Sequence, residues 1–489
     1  MRKTIFGAVI TALLSSTAGA QTPTDPTPTA MMGPLRPDQT EYRGLYMELV
    51  ETNTTLSAAQ GGEGSCTLAA ARMAARLKAG GIPDAQLHPF ADPAHPNEGG
   101  LVAIYPGTSK TLKPLLLLAH IDVVEANRAD WTRDPFTLVE ENGYFYGRGS
   151  LDDKAQASIW TDTLVRFAKA GYKPKRTVKM ALTCGEETNG AFNGANYISA
   201  NMRDLIDAEF ALNEGGGGRT DGKGKLLVQT LQVGEKIFQN YRVEATNVGG
   251  HSSAPIRDNA IYELSDALGK LREYDFPMEM SDVTRAFFAK AGKARGGEVG
   301  VAMQKLAANP QDAAAEALVN TDKGMHSTLR TTCVATLLDG GHATNALPQR
   351  AGANVNCRIF PGHTPQEIRG ELERVIADPR MTVTITPPTV PLAKAPPLDP
   401  RIVGPVEKLA AKYFPGVPVI PAMSTGATDA IYLAGVGIPT YGVPSVWADP
   451  DGNGTHGLNE RVEAKALYTA RDYLFDLVKA IAGVGAIAR

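Results

Sequence analysis

Four short segments carry side chains able to bind a cation or move a proton. His120-Ile121-Asp122 follows the apolar run LLLLA (115–119), and Cys184-Gly185-Glu186-Glu187 follows TVKMALT (177–183). Glu214-Gly215-Gly216 follows EFALN (209–213). Between the first two, Gly147-Arg148-Gly149-Ser150-Leu151-Asp152-Asp153-Lys154 leads into a helical pattern. Taken singly these are weak signals, since a His-x-Asp is common by chance and a Glu-Glu pair is usually a solvated face. The conjunction is stronger, because each of three segments closes an apolar run. Carboxylates crowded at one edge repel one another and resist ionisation unless a cation neutralises them. Imidazole with carboxylate suits zinc, manganese or cobalt better than calcium.

The elements that must position these groups follow from the apolar pattern. From about 40 to 235, helix-like and strand-like segments alternate, as expected of an α/β domain with a mostly parallel sheet. The three apolar runs suit strands covered on both faces, and 153–169 reads as a helix between the first two. In open sheets of this kind the site lies at the carboxyl ends of the strands, where the acids and His120 fall. The pattern then changes. Strands at 236–246, 329–338, 350–360 and 381–386, with helices at 259–274 and 365–376, give the order βαββαβ of a ferredoxin-like α+β module over 236–389. A helix-like insertion occupies 275–327. Six prolines between Pro387 and Pro400 mark a return linker. Residues 390–489 then complete the α/β domain.

The chain has 489 residues, enough for two or three domains. Its 43% hydrophobic and 21% charged content excludes a disordered chain or a membrane bundle. With 49 basic against 52 acidic residues, nothing points to nucleic acid as a partner. Residues 1–20 read as a signal peptide: Arg2 and Lys3, an apolar run to Leu14, then Ala18-Gly19-Ala20. No run reaches the ~20 apolar residues that a membrane span needs. Residues 21–39 are Pro/Thr-rich and read as a flexible leader. Export to a periplasmic or extracellular compartment is therefore expected, and it permits disulfides. Of the four cysteines, Cys333 and Cys357 sit on two adjacent strands and can pair or remain separate buried thiols.

The motifs together resemble the M20 family of dinuclear metallohydrolases, which includes aminoacylases, glutamate carboxypeptidases and carboxypeptidase S. The matching segments are LLLLAHIDVV (115–124), GRGSLDDK (147–154), TCGEE (183–187), ALNEG (211–215), VGGHSSAP (248–255), NALPQRAGANVNCRIFPG (345–362), STGATDA (424–430) and THGLNE (455–460). The resemblance implies a catalytic domain interrupted by a lid that also serves dimerisation. It implies two Zn2+ ions, replaceable by Co2+ or Mn2+. His120 and Glu214 would hold one, Glu187 and His456 the other, and Asp152 would bridge them. Asp122 would orient the His120 ring. Two such ions acidify an attacking water and polarise the scissile carbonyl, and Glu186 would take the water's proton and pass it to the leaving amine. On the lid, His251 would stabilise the oxyanion, in the family often from the partner subunit. Asn345 and Arg358 would hold the substrate's carboxylate, and Gly426 and Thr428 would contribute from the catalytic side.

The resemblance implies a hydrolase that releases a free amino acid from a small peptide or an N-acyl amino acid. An aminoacylase-like deacylase is the second reading. An inactive peptide-binding relative is the third, and Glu186 argues against it. Two other signals are declined. Residues 449–460 satisfy an EF-hand loop pattern, but no helix-like segment enters it. Gly217–Lys223 approaches a P-loop, but Gly224 stands where Ser or Thr is required.

Overall fold

The computed structural model describes residues 33–62, 64–188, 192–389, 391–392 and 394–483. The expected signal peptide and residues 21–32 lie outside them. The helix Pro37–Val50 begins inside the stretch read as a leader, so that reading ended too late. Pro37 suits a first helical turn, and Tyr42, Leu45, Tyr46 and Leu49 bury the face this helix turns to the core.

The larger domain is built on a ten-stranded mixed sheet. At its centre, Val178–Thr183, Leu115–His120, Phe210–Asn213 and Thr440–Gly442 run parallel. Leu87–Asp92 and His95–Tyr105 add an antiparallel edge. On the other side, Gly217–Thr220 pairs antiparallel with Leu226–Glu235 and parallel with Trp447–Ala448. Alternation along LLLLAH shows why this run is apolar throughout. Leu115, Leu117 and Ala119 enter a core shared with Met73 and Trp160. Leu116 and Leu118 enter a separate core with Ile198 and Leu433 on the opposite face. Both faces are covered, and the polar residue that ends the run falls at the sheet's edge.

The second domain is the expected βαββαβ unit. Its strands Thr332–Gly340, Arg350–Ile359, Ile237–Thr246 and Met381–Thr386 lie in that spatial order, all antiparallel. Helices Ala260–Arg272 and Pro365–Ile376 cover the sheet through Leu264, Ala267, Ile368 and Leu372. The insertion folds as four helices, Asp282–Arg295, Gly297–Ala308, Ala313–Val319 and Lys323–Thr328, around a small core of Phe288, Met303, Leu306 and Val319. It leans on the larger domain, where Lys290 pairs with Glu407 and Val283 joins the main core. Cys333 and Cys357 are paired cross-strand neighbours joined by a disulfide. A second disulfide, Cys66–Cys184, was not foreseen from the sequence. No described helix is long and apolar enough to cross a membrane.

Candidate metal centre

Seven of the expected residues meet at the carboxyl edge of the parallel strands: His120, Asp122, Glu186, Glu187 and Glu214 from strand ends, and Asp152 and His456 from loops. His120, the last residue of its strand, is buried. Its Nδ1 lies 3.1 Å from the Asp122 backbone carbonyl and 3.6 Å from that residue's carboxylate. Donation from Nδ1 to this carbonyl turns Nε2, the other ring nitrogen, toward the acids. Nε2 faces Asp152 Oδ1 at 3.1 Å and Glu214 Oε1 at 3.8 Å. The other oxygen of Asp152 lies 3.2 Å from His456 Nε2, which also meets Glu187 Oε1 at 2.8 Å. One carboxylate thus reaches two imidazoles, one per oxygen. His456 adopts φ 57°, a left-handed conformation uncommon away from glycine and concentrated at functional sites.

Asp122 also accepts hydrogen bonds from the backbone amides of Glu186 and Glu187, at 3.3 and 3.0 Å. It fixes the turn that carries both acids. Gly185 enters that turn at φ +90°, and a Cβ there would meet the Phe192 carbonyl at 1.8 Å, so only glycine fits. Cys184, tied to Cys66, anchors the same turn from behind. The two sulfurs lie close to Asp122, but they are bonded to each other and are not available as metal ligands.

Charge at the centre is lopsided. Burial pushes the Glu186 carboxyl up to about 9, reinforced by Asp429, Glu187 and Asp122 and opposed by His120. Burial, with Asp152 and its neighbours, also holds Glu214 well above the carboxylate range. His456 is pulled up to about 10 by its hydrogen bonds to Asp152 and Glu187. Burial would lower His120, but Glu214, Asp122 and Asp152 outweigh it and raise it. For Asp152 burial acts upward, and the bonds from both histidines overcome it and hold the carboxyl low. Acids that resist ionisation beside imidazoles that hold protons mark a site short of positive charge. A divalent cation meets that need, and the donors fit one. Ligand atoms of His120, Asp152 and Glu187 lie within 4.8 Å of one another, as do those of His120, Glu186 and Glu214.

Three buried acids that sequence reading did not single out support the centre. Glu460 accepts from the amides of Leu151 and Asp152 on Oε1 and from Gly149 and Arg148 on Oε2. It holds the loop that presents Asp152. Asp429 accepts from Thr183 and Asn193, both at 2.8 Å, behind Glu186. Glu235 accepts from the amide and hydroxyl of Thr428 and from Gln232. Thr428 also takes a bond from Asn213, the residue before Glu214, so its hydroxyl joins a network that reaches the metal centre. Gly426 caps a turn, its amide donating to the Ser424 hydroxyl.

The lid residues stand apart from this cluster. His251 is exposed and takes bonds from the amide and hydroxyl of Ser253 on Nδ1. A short two-stranded ladder pairs it with Ala346, beside Asn345. Arg358 lies over the Phe238 ring, 5.8 Å from its centroid, and burial lowers its guanidinium. Among the described residues, none of these three forms a hydrogen bond or ion pair with the metal-centre acids. The EF-hand pattern is not a calcium loop. Arg461 pairs with both Asp449 and Asp451, and Glu460 turns to the Asp152 loop.

Comparison with known proteins gives one family. A profile described as peptidase family M20/M25/M40 matches residues 116–480. The N-fatty-acyl-amino acid synthase/hydrolase PM20D1 of Homo sapiens is 28% identical over 382 residues, 76% of this chain and 75% of its own. The probable carboxypeptidase S-like 2 of Dictyostelium discoideum is 28% identical over 396 residues, 78% and 74% of the two chains. Among solved structures, the M20 family metallo-carboxypeptidase Sso-CP2 from Sulfolobus solfataricus shares the fold. Its TM-score is 0.66 at 18% identity, over 92% of this chain and 100% of that one.

Proposed function

Because the chain belongs to peptidase family M20/M25/M40 and is a hydrolase of amide bonds, we propose that it releases a free amino acid from a small peptide or an N-acyl amino acid at a centre of two zinc ions. The observation that carries this reading is Asp152, whose two oxygens each face a different histidine. His120 and Glu214 would hold one ion and His456 and Glu187 the other, with Asp152 between the two pairs. The bound ions supply Lewis acidity toward the scissile carbonyl and the attacking water. Glu186 accepts the water's proton and delivers it to the leaving amine. Its half-buried carboxyl lies beside His120 and Glu214 on the turn that Asp122 holds, where it can carry that proton between the two steps. Glu460 and Asp122 keep Asp152 and the Glu186–Glu187 turn in place. His251, Asn345 and Arg358 act from the lid, on the oxyanion and on the carboxylate of the departing amino acid. An aminoacylase-like small-molecule N-deacylase is the second reading, and the relatives' names span peptide and N-acyl substrates.

Two finer readings belong with this one. Export is supported by the pairing of all four cysteines in disulfides, the state favoured outside the cytosol. A homodimer through the lid is supported by the apolar outer edge of the lid sheet.

The test strips the protein with a chelator and restores zinc, cobalt or manganese. Dipeptides, N-acetyl amino acids and long-chain N-acyl amino acids are then compared as substrates. Restored turnover on one of these classes is expected. Glu186→Gln should lose at least about 100-fold in kcat while binding the same metal, measured by elemental analysis. Failure to cleave any of them, or a Glu186→Gln enzyme of unchanged rate, would sink the proposal.

A further inference from the structure

A cleft of about 220 Å3 opens from the metal centre along the larger domain, walled by Asp152, Glu214 and residues 215–219. After Glu214 the wall carries no side chain for four residues, Gly215 to Gly218. Close packing requires glycine at three of these four positions, while a Cβ on Gly217 would have room. A Cβ on Gly215 would meet the Gln232 side chain at 2.4 Å, one on Gly216 the Gly442 carbonyl at 2.4 Å, and one on Gly218 the Trp447 ring at 2.1 Å. Arg219 is the first side chain after the gap, and it lines the cleft.

Its direction is fixed by the strand. Gly218 and Thr220 face inward, Gly218 against Trp447 and Thr220 bonded to Asp449. Alternation then turns Arg219 outward. Its backbone is held on both sides, opposite Val228 and Ala448. Among the described residues its guanidinium has no hydrogen bond and no ion pair. The other charged groups lining the cleft are Asp152, Asp153 and Glu214. Glu214 and Arg219 are five positions apart in the chain, a reach of at most about 18 Å.

We propose that Arg219 is a specificity residue that receives a carboxylate on the acyl side of the scissile bond. The substrates selected are those whose acyl group ends in a carboxylate, as in a dicarboxylic half-amide. This rests on the hydrolase reading above and narrows its substrate class. Three features favour such a substrate over a long apolar acyl chain. The substrate-facing wall beyond Glu214 is bare backbone at Gly215 to Gly218, the acids of the cleft leave no second cation among its lining residues, and Arg219 offers a two-pronged cation matched to a carboxylate.

The test uses the metal-loaded enzyme with succinyl, glutaryl and adipoyl derivatives of the amino acid it releases best. Each is set against its uncharged terminal-amide analogue, which keeps the shape and removes the charge. For the best-fitting length, kcat/KM should favour the carboxylate by at least about tenfold, mostly through KM. Arg219→Gln should erase that ratio, and Arg219→Lys should restore part of it. Calorimetry should show the free dicarboxylate binding the wild type more tightly than Arg219→Gln. A ratio near one in the wild type, or one that survives Arg219→Gln, overturns the proposal while leaving the hydrolase reading intact. A tighter metal affinity in Arg219→Gln with an unchanged ratio also overturns it, since Arg219 would then only balance the acids. Cleavage of no amide at all overturns both readings together.

Discussion

Glu235 sits behind the metal centre, buried, with its oxygens facing Thr428 and Gln232. Burial pushes its carboxyl from 4.5 up to about 8, although the bonds from Thr428 pull the other way. Between those values the folded chain keeps a proton that the unfolded chain has released. Stability from this group is therefore full below about 4.5, falls as pH rises, and is exhausted above about 8. The loss is on the order of a few kcal/mol. Glu235→Gln keeps the shape without the titration, so the difference between its denaturation profile and the wild type's should slope over that window. Parallel profiles would count against the assignment. Sequence reading reached the acids that end apolar runs, because a strand end is a place that chemistry can use. It did not reach Glu235, Asp429 or Glu460. Their importance lies in amides and hydroxyls that they accept from afar, as Glu460 does from Leu151, and no local pattern records such a bond.

The elements were legible where periodicity is local. LLLLAH reads as a strand because both of its faces are apolar, and the βαββαβ order of the second domain follows from the same rule. The first three residues of the helix Pro37–Val50 fall within the leader reading because they continue the proline-rich composition of the preceding stretch, while the buried face starts only at Gln39. The Cys66–Cys184 bridge was illegible for another reason, since its ends lie 118 residues apart on a helix and a strand end. That separation has a measurable consequence. The Cys333–Cys357 bridge spans only 24 residues. On the chain-entropy account, removing the longer loop costs roughly 5 kcal/mol and the shorter roughly 3.5. Guanidinium denaturation of Cys66→Ala/Cys184→Ala should show the larger loss. Because Cys184 roots the Glu186–Glu187 turn, the same pair of changes should also weaken metal binding, and Cys333→Ala/Cys357→Ala should not. An equal effect of both pairs on metal affinity would count against a role for the bridge in holding that turn.

At the scale of the whole molecule, the strand Thr332–Gly340 is the outer edge of the lid sheet. It exposes Val334, Leu337 and Leu338, the last two at 71% each. Ile261 and Tyr262 on the neighbouring helix are exposed as well. Proteins blunt such edges with charge, proline, bulges or a covering element, and here Val334, Leu337 and Leu338 stay exposed although a register shift at Ala335/Leu337 and the charged Asp339 lie on the same strand. The helical insertion leans on the larger domain and leaves the edge open. Two copies of the strand can pair antiparallel about a two-fold axis, which buries the same residues on both. Dimerisation also bears on the chemistry, because His251 makes no contact with the metal-centre acids of its own chain. A donor missing from the oxyanion site costs about 100-fold to 1,000-fold in rate. Sedimentation should therefore find a dimer for the wild type and a monomer for Leu337→Asp/Leu338→Asp. If the partner supplies His251, the monomer should keep its fold and its metal and lose turnover on that scale. His251→Ala in the wild-type background should lose a similar amount. A fully active monomer would show that each chain completes its own site, and the edge would then need another explanation.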